Sequence, residues 1–284
     1  VRGIKVKEGR QEKEGKRSKV RGSKMTDIEE RAHELTTVLL NGYSLETRNV
    51  RDRSRAILFS GGLDSAVIAI LTRMMFGRNN TTLYTLGVPD SKDMINAREG
   101  EMFIDIPRVE ITLTSEEIVD SANQLLSLLP DLSFLELSYE LPLFMGASRL
   151  EEEVILTGQG ADELFGGYSK YGEAEDELAR MLLMDKDRVR LFTRTMKNEK
   201  KIASHHGKTL VTPFLSEIVV AHTSQLKTGD LIGEEGVNKA ILRESARILG
   251  LPEIICGRKK LAAQYGSGIS KVLKKARKRG ELEI

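Results

Sequence analysis

A single cysteine, Cys256, stands among 284 residues. An internal disulfide and a cysteine-based metal cluster are therefore excluded, and a reducing cytoplasm is the natural setting. No run of about 18 apolar residues occurs, so no membrane-spanning helix is expected. No apolar segment follows the basic start, so no secretory leader is read there. The pattern G-x-x-x-x-G-K-[ST] is absent, which excludes a Walker phosphate loop. His33, His205, His206 and His222 have no spacing with acids or cysteine that suggests a metal site. Repeats of fixed period are missing, and with them a solenoid.

What is present is enough for a substantial core. The chain is 40% hydrophobic and 30% charged, which suits one large domain or one domain with a helical appendage. Its charge is uneven. Residues 1–24 carry ten Lys/Arg against three Glu, a balance of +7, which leaves the other 260 residues at −5 within a net of +2. Lacking any hydrophobic period, 1–24 reads as a disordered basic tail. Met25 is the expected natural start. Residues 25–270 read as the folded domain and 271–284 as a basic terminal helix or tail. Two basic ends give a nucleic-acid partner only slight support, and none is expected.

The spacing of apolar residues predicts helices over 27–40, 66–75, 115–129 and 143–150. Short buried strands are predicted over 56–59, 82–88, within 103–111, and over 154–157. This alternation argues for an α/β fold with a doubly wound parallel sheet. Beyond residue 173 the period turns helical over 173–197, 215–226, 237–249 and 269–279, with little strand signal. The methionines at 74–75 and 181–184 fall at helical spacing and read as packing.

Two strands end in glycine-rich turns. Ser60-Gly61-Gly62-Leu63-Asp64-Ser65 lies between a strand and a helix. Its glycines free backbone amides to face an anion, and the helix directs its positive end at the same place. Ser60 and Ser65 add hydroxyl donors. Asp64 would repel a phosphate unless it held Mg²⁺ against it. The second turn is Thr157-Gly158-Gln159-Gly160-Ala161-Asp162-Glu163-Leu164-Phe165-Gly166-Gly167-Tyr168. Turns at the carboxyl ends of parallel strands meet in one crevice, so Asp162 could share that cation with Asp64.

Together these segments resemble the synthetase domain of asparagine synthetases and of β-lactam synthetase, within the ATP pyrophosphatase (PP-loop) superfamily. Thr212-Pro213-Phe214-Leu215, Lys239-Ala240-Ile241-Leu242-Arg243-Glu244, and Arg258-Lys259-Lys260 followed by Gly266-Ser267-Gly268 extend the match in order to about residue 270. The resemblance implies a PP-loop sheet with a mainly helical C-terminal half. It implies an ATP-dependent ligase that adenylates an aspartate-like carboxylate, releases pyrophosphate and passes the acyl group to ammonia or another amine. By the same resemblance Asp64 and Asp162 would hold Mg²⁺. ATP would meet Leu58 and Leu86 at the adenine, with Ser60, Gly61, Gly62, Asp64, Ser65, Gly158, Gln159, Gly160 and Lys239 around the phosphates. Asp93 would line the nucleotide pocket. Lys260 would be the catalytic lysine, its charge set against the crowded α-phosphorus and the later oxyanion.

The sequence departs from the family in three places. The glutaminase half with its cysteine nucleophile is not seen, so nitrogen would come from free ammonium, a separate glutaminase subunit or another amine. Gln159 stands where asparagine synthetases carry an acid and β-lactam synthetase a tyrosine; an amide cannot act as a base. Ser216 ends the segment that the family ends in Asp. Two other functions stay open at this point: a tRNA-modifying ATP pyrophosphatase, and a regulatory subunit that binds nucleotide without catalysis.

Overall fold

Five short strands pair side by side, all parallel, in the order β3-β2-β1-β4-β5. They are β1 Arg55–Leu58, β2 Thr81–Gly87, β3 Arg108–Thr112, β4 Val154–Leu156 and β5 Thr209–Val211. The computed structural model describes residues 26–233, 236–259, 263–282 and 284. The basic tail 1–24 and Lys260 lie outside the described residues.

Successive residues of a strand point to opposite faces, and the two cores follow that rule. Ala56 and Ile155 face one core; Ile57, Val154 and Leu156 face the other. Ala56 sits opposite both Thr82 of β2 and Ile155 of β4. The first face is covered by helices Ser115–Leu128, Phe134–Ala147 and Ile269–Lys278. The second is covered by Asp27–Thr47, Leu63–Phe76 and Ala240–Ile248. Burial on both sides explains why β1 and β4 are continuous apolar runs.

The order reverses direction at β1, with β2 and β3 to one side and β4 and β5 to the other. A doubly wound sheet opens a crevice there, beyond the carboxyl ends of the strands. Both glycine-rich turns leave from that crevice.

The structure corrects several sequence expectations. The second half does contribute a strand, β5, a three-residue edge strand too short for an alternating pattern to register. A helix at Lys92–Glu101 was not expected, because ten mostly polar residues carry little period. The helix expected over 143–150 runs instead over Phe134–Ala147, with Pro142 inside it. Its start is fixed by a capping box in which Ser133 Oγ accepts from Glu136 N–H and Glu136 accepts from Ser133 N–H at 2.9 Å. The first helix runs to Thr47, capped by Thr26 and Glu29 in the same way. Of the methionines read as packing, Met184 is buried, while Met74, Met75 and Met181 are exposed. The basic helix Ile269–Lys278 buries Ile269, Leu273 and Ala276 in the first-face core. No helix among the described residues is long and apolar enough to cross a membrane.

Candidate active site

The turn after β1 is drawn tight by glycine. Gly61 has φ +69°, and a Cβ there would strike the backbone of Asn96. Gly62 occupies the N-cap position of helix Leu63–Phe76, which puts Asp64 in the first turn. Ser65 Oγ accepts from Ser60 N–H at 3.3 Å and donates to the Gly62 carbonyl at 3.1 Å. The two serine hydroxyls are 3.3 Å apart. Two hydroxyls and a helix N-terminus thus share one small concavity, a setting that favours an anion.

The turn after β4 meets the first one. A Cβ on Gly158 would lie 2.8 Å from Asp64 Cβ, so the loops touch because this residue has no side chain. Gly160 has φ +89° and packs on Leu215, starting the short helix Ala161–Phe165 that carries Asp162.

Asp64 and Asp162 converge on one cation, and that cation is Lys239. Its Nζ lies 2.6 Å from both Asp64 carboxylate oxygens and 2.5 Å from Asp162 Oδ1. Lys239 is 2% exposed. Burial pulls its pKa down, and the charge of Asp64 pushes back. It stands at the N-cap of helix Ala240–Ile248 with φ +60°, a backbone region L-residues seldom occupy. Strain of this kind is held in place only by its surroundings. Gly167 permits the approach, because a Cβ there would collide with the Asp162 carboxylate and the Lys239 stem. Two acids arranged about one ammonium also suit Mg²⁺, which takes one or two carboxylates together with phosphate oxygens. The described residues contain no group of three or more His, Cys, Asp or Glu gathered as a metal site, so phosphate oxygens would have to complete that shell.

Behind the first loop lies a small cavity of about 60 Å³ bordered by Lys239, Arg243, Arg258 and Lys259. Arg258 donates to the Gly61 carbonyl at 2.5 Å and the Asn96 carbonyl at 3.1 Å, and pairs with Glu99 at 2.7 Å. Arg243 donates to the carbonyls of Asn238, Cys256 and Arg258. Arg258 thus braces the Ser60–Ser65 loop directly, and Arg243 holds the segment that carries Arg258.

In front opens a cleft of about 560 Å³. Leu58 and Leu86 form an apolar wall; Ser60, Asp64, Ser65, Gly158, Gln159 and Asp162 form its floor. Gly61 and Gly160 lie behind their loops, against Asn96 and Leu215, and do not line it. Asp93, 6% exposed, borders both cavities, and burial pushes its pKa up to about 7. The rest of the lining is rich in acids and phenols. Glu163 accepts from the Tyr168 hydroxyl at 2.7 Å, Lys170 pairs with Asp187 at 2.5 Å, and Glu199 lines the same cleft.

The structure thus brings Asp64, Asp162, Lys239, the two serines and the Leu58–Leu86 wall to one place. Glu163, Arg243 and Arg258 stand inside segments the sequence had singled out, without roles of their own. Glu199 had no signal: within Lys197-Asn198-Glu199-Lys200-Lys201 it reads as an ordinary solvated helix face.

Residues 42–198, more than half of the chain, match the family model for asparagine synthase. The chain belongs to the asparagine synthase family. A Methanocaldococcus jannaschii protein named as a glutamine-hydrolyzing asparagine synthetase is 28% identical over 262 residues, covering 78% of this chain and 47% of that protein. An asparagine synthetase domain-containing protein of Saccharomyces cerevisiae is 26% identical over 281 residues, 84% of this chain and 52% of its own. Human asparagine synthetase is 26% identical over 250 residues, 83% of this chain and 43% of its own. This asparagine synthase family chain spans about half the length of the curated relatives it matches. An NMN synthetase structure from Francisella tularensis overlaps 89% of this chain and 97% of its own at 14% identity, with a TM-score of 0.35; it is too distant to inform the site.

Proposed function

We propose that this protein is an ATP-dependent amide ligase that adenylates an aspartate-like carboxylate and transfers the acyl group to ammonia or another amine. One observation carries the reading. Two glycine-rich turns from adjacent parallel strands converge so that Asp64, Asp162 and Lys239 meet below an apolar wall. A nucleotide fits that order of surfaces: base against Leu58 and Leu86, phosphates at the Ser60–Ser65 turn. Family membership supports the same chemistry.

In this reading Asp64 and Asp162 would hold Mg²⁺, which supplies charge neutralisation at the phosphates. Lys239 would then exchange its carboxylate partners for phosphate oxygens. The substrate carboxylate attacks the α-phosphorus, pyrophosphate leaves, and an acyl-adenylate remains. Arg243 and Arg258 keep the loop in shape while charge moves from the carboxylate to the pyrophosphate. Lys260 would stabilise the crowded α-phosphorus and then the oxyanion of the second step. An amine completes the reaction by displacing AMP. Nitrogen delivery by a separate glutaminase subunit is one source of that amine, free ammonium the other.

The test is pyrophosphate exchange into ATP, measured across a panel of amino-acid carboxylates without amine. Amide formation is then measured with ammonium and with glutamine. Exchange dependent on one carboxylate is the expected result. No exchange with any carboxylate would overturn the proposal.

A further inference from the structure

Helix Ile269–Lys278 has two unlike faces. Ile269, Leu273 and Ala276 are buried in the first-face core. Lys271, Lys274, Lys275, Arg277, Lys278 and Arg279 are all exposed. At 1.5 Å per residue these cations follow one another along about 12 Å of helix. Among the described residues only Arg279 of this set is in an ion pair, with Glu281 at 3.7 Å. Like charges three and four positions apart on a helix repel, so this face does not stabilise the free protein. A helix C-terminus favours nearby cations, but Lys271 and Lys274 lie outside the last turn.

Two aromatic rings stand beside the cations. Tyr265, on the short helix Ala263–Gly266, is 53% exposed, and Lys274 Nζ is 5.7 Å from its ring centroid. The Arg277 guanidinium lies 4.8 Å from the centroid of the Phe134 ring. Both rings adjoin the large cleft: Gln264 and Ser267, which flank Tyr265 in sequence, line it, and so does Leu135, next to Phe134. The cationic face therefore begins at the cleft mouth.

This combination selects among anionic partners. A lipid surface takes up an amphipathic helix by its apolar face, and here that face is packed in the core. An acidic peptide would meet the ammonium groups and leave the exposed ring unused. A single-stranded nucleic acid offers both phosphates for the cations and open base faces for the ring. We propose that this surface binds single-stranded nucleic acid, with phosphates along Lys271–Arg279 and a base stacked on Tyr265. A neighbouring nucleotide is then held at the mouth of the cleft. The inference does not rest on the amide-ligase reading. The basic ends of the sequence gave such a partner slight support; the fold gathers one of them on a single surface beside the site.

The test is fluorescence anisotropy of a labelled single strand of about 20 nucleotides, as RNA and as DNA, titrated with the full chain at rising NaCl. Residues 1–24 stay in every variant, so their charge cancels in the comparison. Lys271→Gln/Lys274→Gln/Lys275→Gln should flatten the plot of log affinity against log salt by about 2, since each contact to a single strand contributes about 0.7. Arginine at the same three positions should keep the wild-type slope. Tyr265→Ala should weaken binding about 5-fold or more with the slope unchanged. A duplex of the same sequence, its base faces hidden in the stack, should bind more weakly and ignore Tyr265→Ala. Should the glutamine triple not fold, Lys274→Gln alone, with an expected slope change of about 0.7, decides with Tyr265→Ala. No binding of either strand overturns the proposal, as does an unchanged slope in the glutamine variants or an equal loss in the arginine triple. Unaltered affinity in Tyr265→Ala overturns the single-strand assignment. Binding to vesicles of phosphatidylcholine and phosphatidylglycerol in place of the oligonucleotide would make the face a membrane surface instead.

Discussion

Two pairs of acids stand in or beside this cleft, and of these only one has a cation between its members. Asp64 and Asp162 share Lys239 at 2.5–2.6 Å. Glu140 and Glu199 each keep a carboxyl oxygen without a partner. Carboxyl groups are therefore held in two different electrostatic settings. A bridged pair forms a ready place where one cation can replace another. An unbridged pair is pressed to hold protons. In the proposed function the first pair would face the phosphate charge, while the second stands without a counter-charge.

That contrast can be broken or sharpened by mutation. The largest effect is expected for the proposed catalytic lysine. Lys260→Ala should lower pyrophosphate release by about 100- to 1,000-fold with little change in nucleotide affinity, the scale of removing one group that acts on the transition state. Lys259→Ala, in the small basic cavity, should change it only a few-fold. Equal losses would make the basic segment a diffuse field and not a catalytic device.

Lys239→Met leaves Asp64 and Asp162 facing each other without a counter-charge. Removing one partner of a buried ion pair costs about 3–5 kcal/mol. Urea melts in chelator should show that loss, and added Mg²⁺ should restore part of it by binding the folded state. Identical melts with and without Mg²⁺ would argue that the two aspartates do not share a metal. Gly167→Ala should destabilise by about 1–3 kcal/mol, the usual cost of overpacking, since the new methyl meets Asp162 and Lys239. A neutral melt would mean the Gly166–Tyr168 turn can move aside.

The smallest expected effect is at the unbridged pair, and it depends on pH. Burial pushes the Glu140 pKa up from 4.5 to about 8. The folded state therefore binds a proton that the unfolded chain has lost between those values. Stability should be greatest below about pH 4.5 for this group and should decline until about pH 8, then level off. Glu140→Gln should flatten that slope and gain about 1.4 kcal/mol or more at pH 8, the equivalent of one pKa unit. A slope unchanged by the substitution would place the proton elsewhere.

How much of this the sequence disclosed depends on which pair is considered. Asp64 and Asp162 sit in glycine-rich turns after apolar strands, and the turn chemistry pointed to a shared crevice. Strands β1 and β4 beside that crevice were legible because burial on both faces leaves continuous apolar runs. Helix Lys92–Glu101 and strand β5 were not, being too polar or too short to show a period. Lys239 had been assigned to phosphates; its place between the aspartates depends on a left-handed backbone and on Gly167, neither of which a linear pattern reveals. Glu199 was hidden more completely. Its flanking lysines describe the outer side of the helix, while its own environment is made by Glu140 and Glu163, dozens of residues away.

The brace on the Ser60–Ser65 loop has a consequence for how the protein is made. Gly61 and the Arg258 that holds its carbonyl are 197 positions apart. A ribosome adds roughly 5–20 residues per second, so the loop waits roughly 10–40 s for its brace. Through that interval strands β1 to β3 can pair, but the turn that would grip a nucleotide lacks its rear support. Nucleotide binding at this turn would thus wait on residues made long after the turn itself.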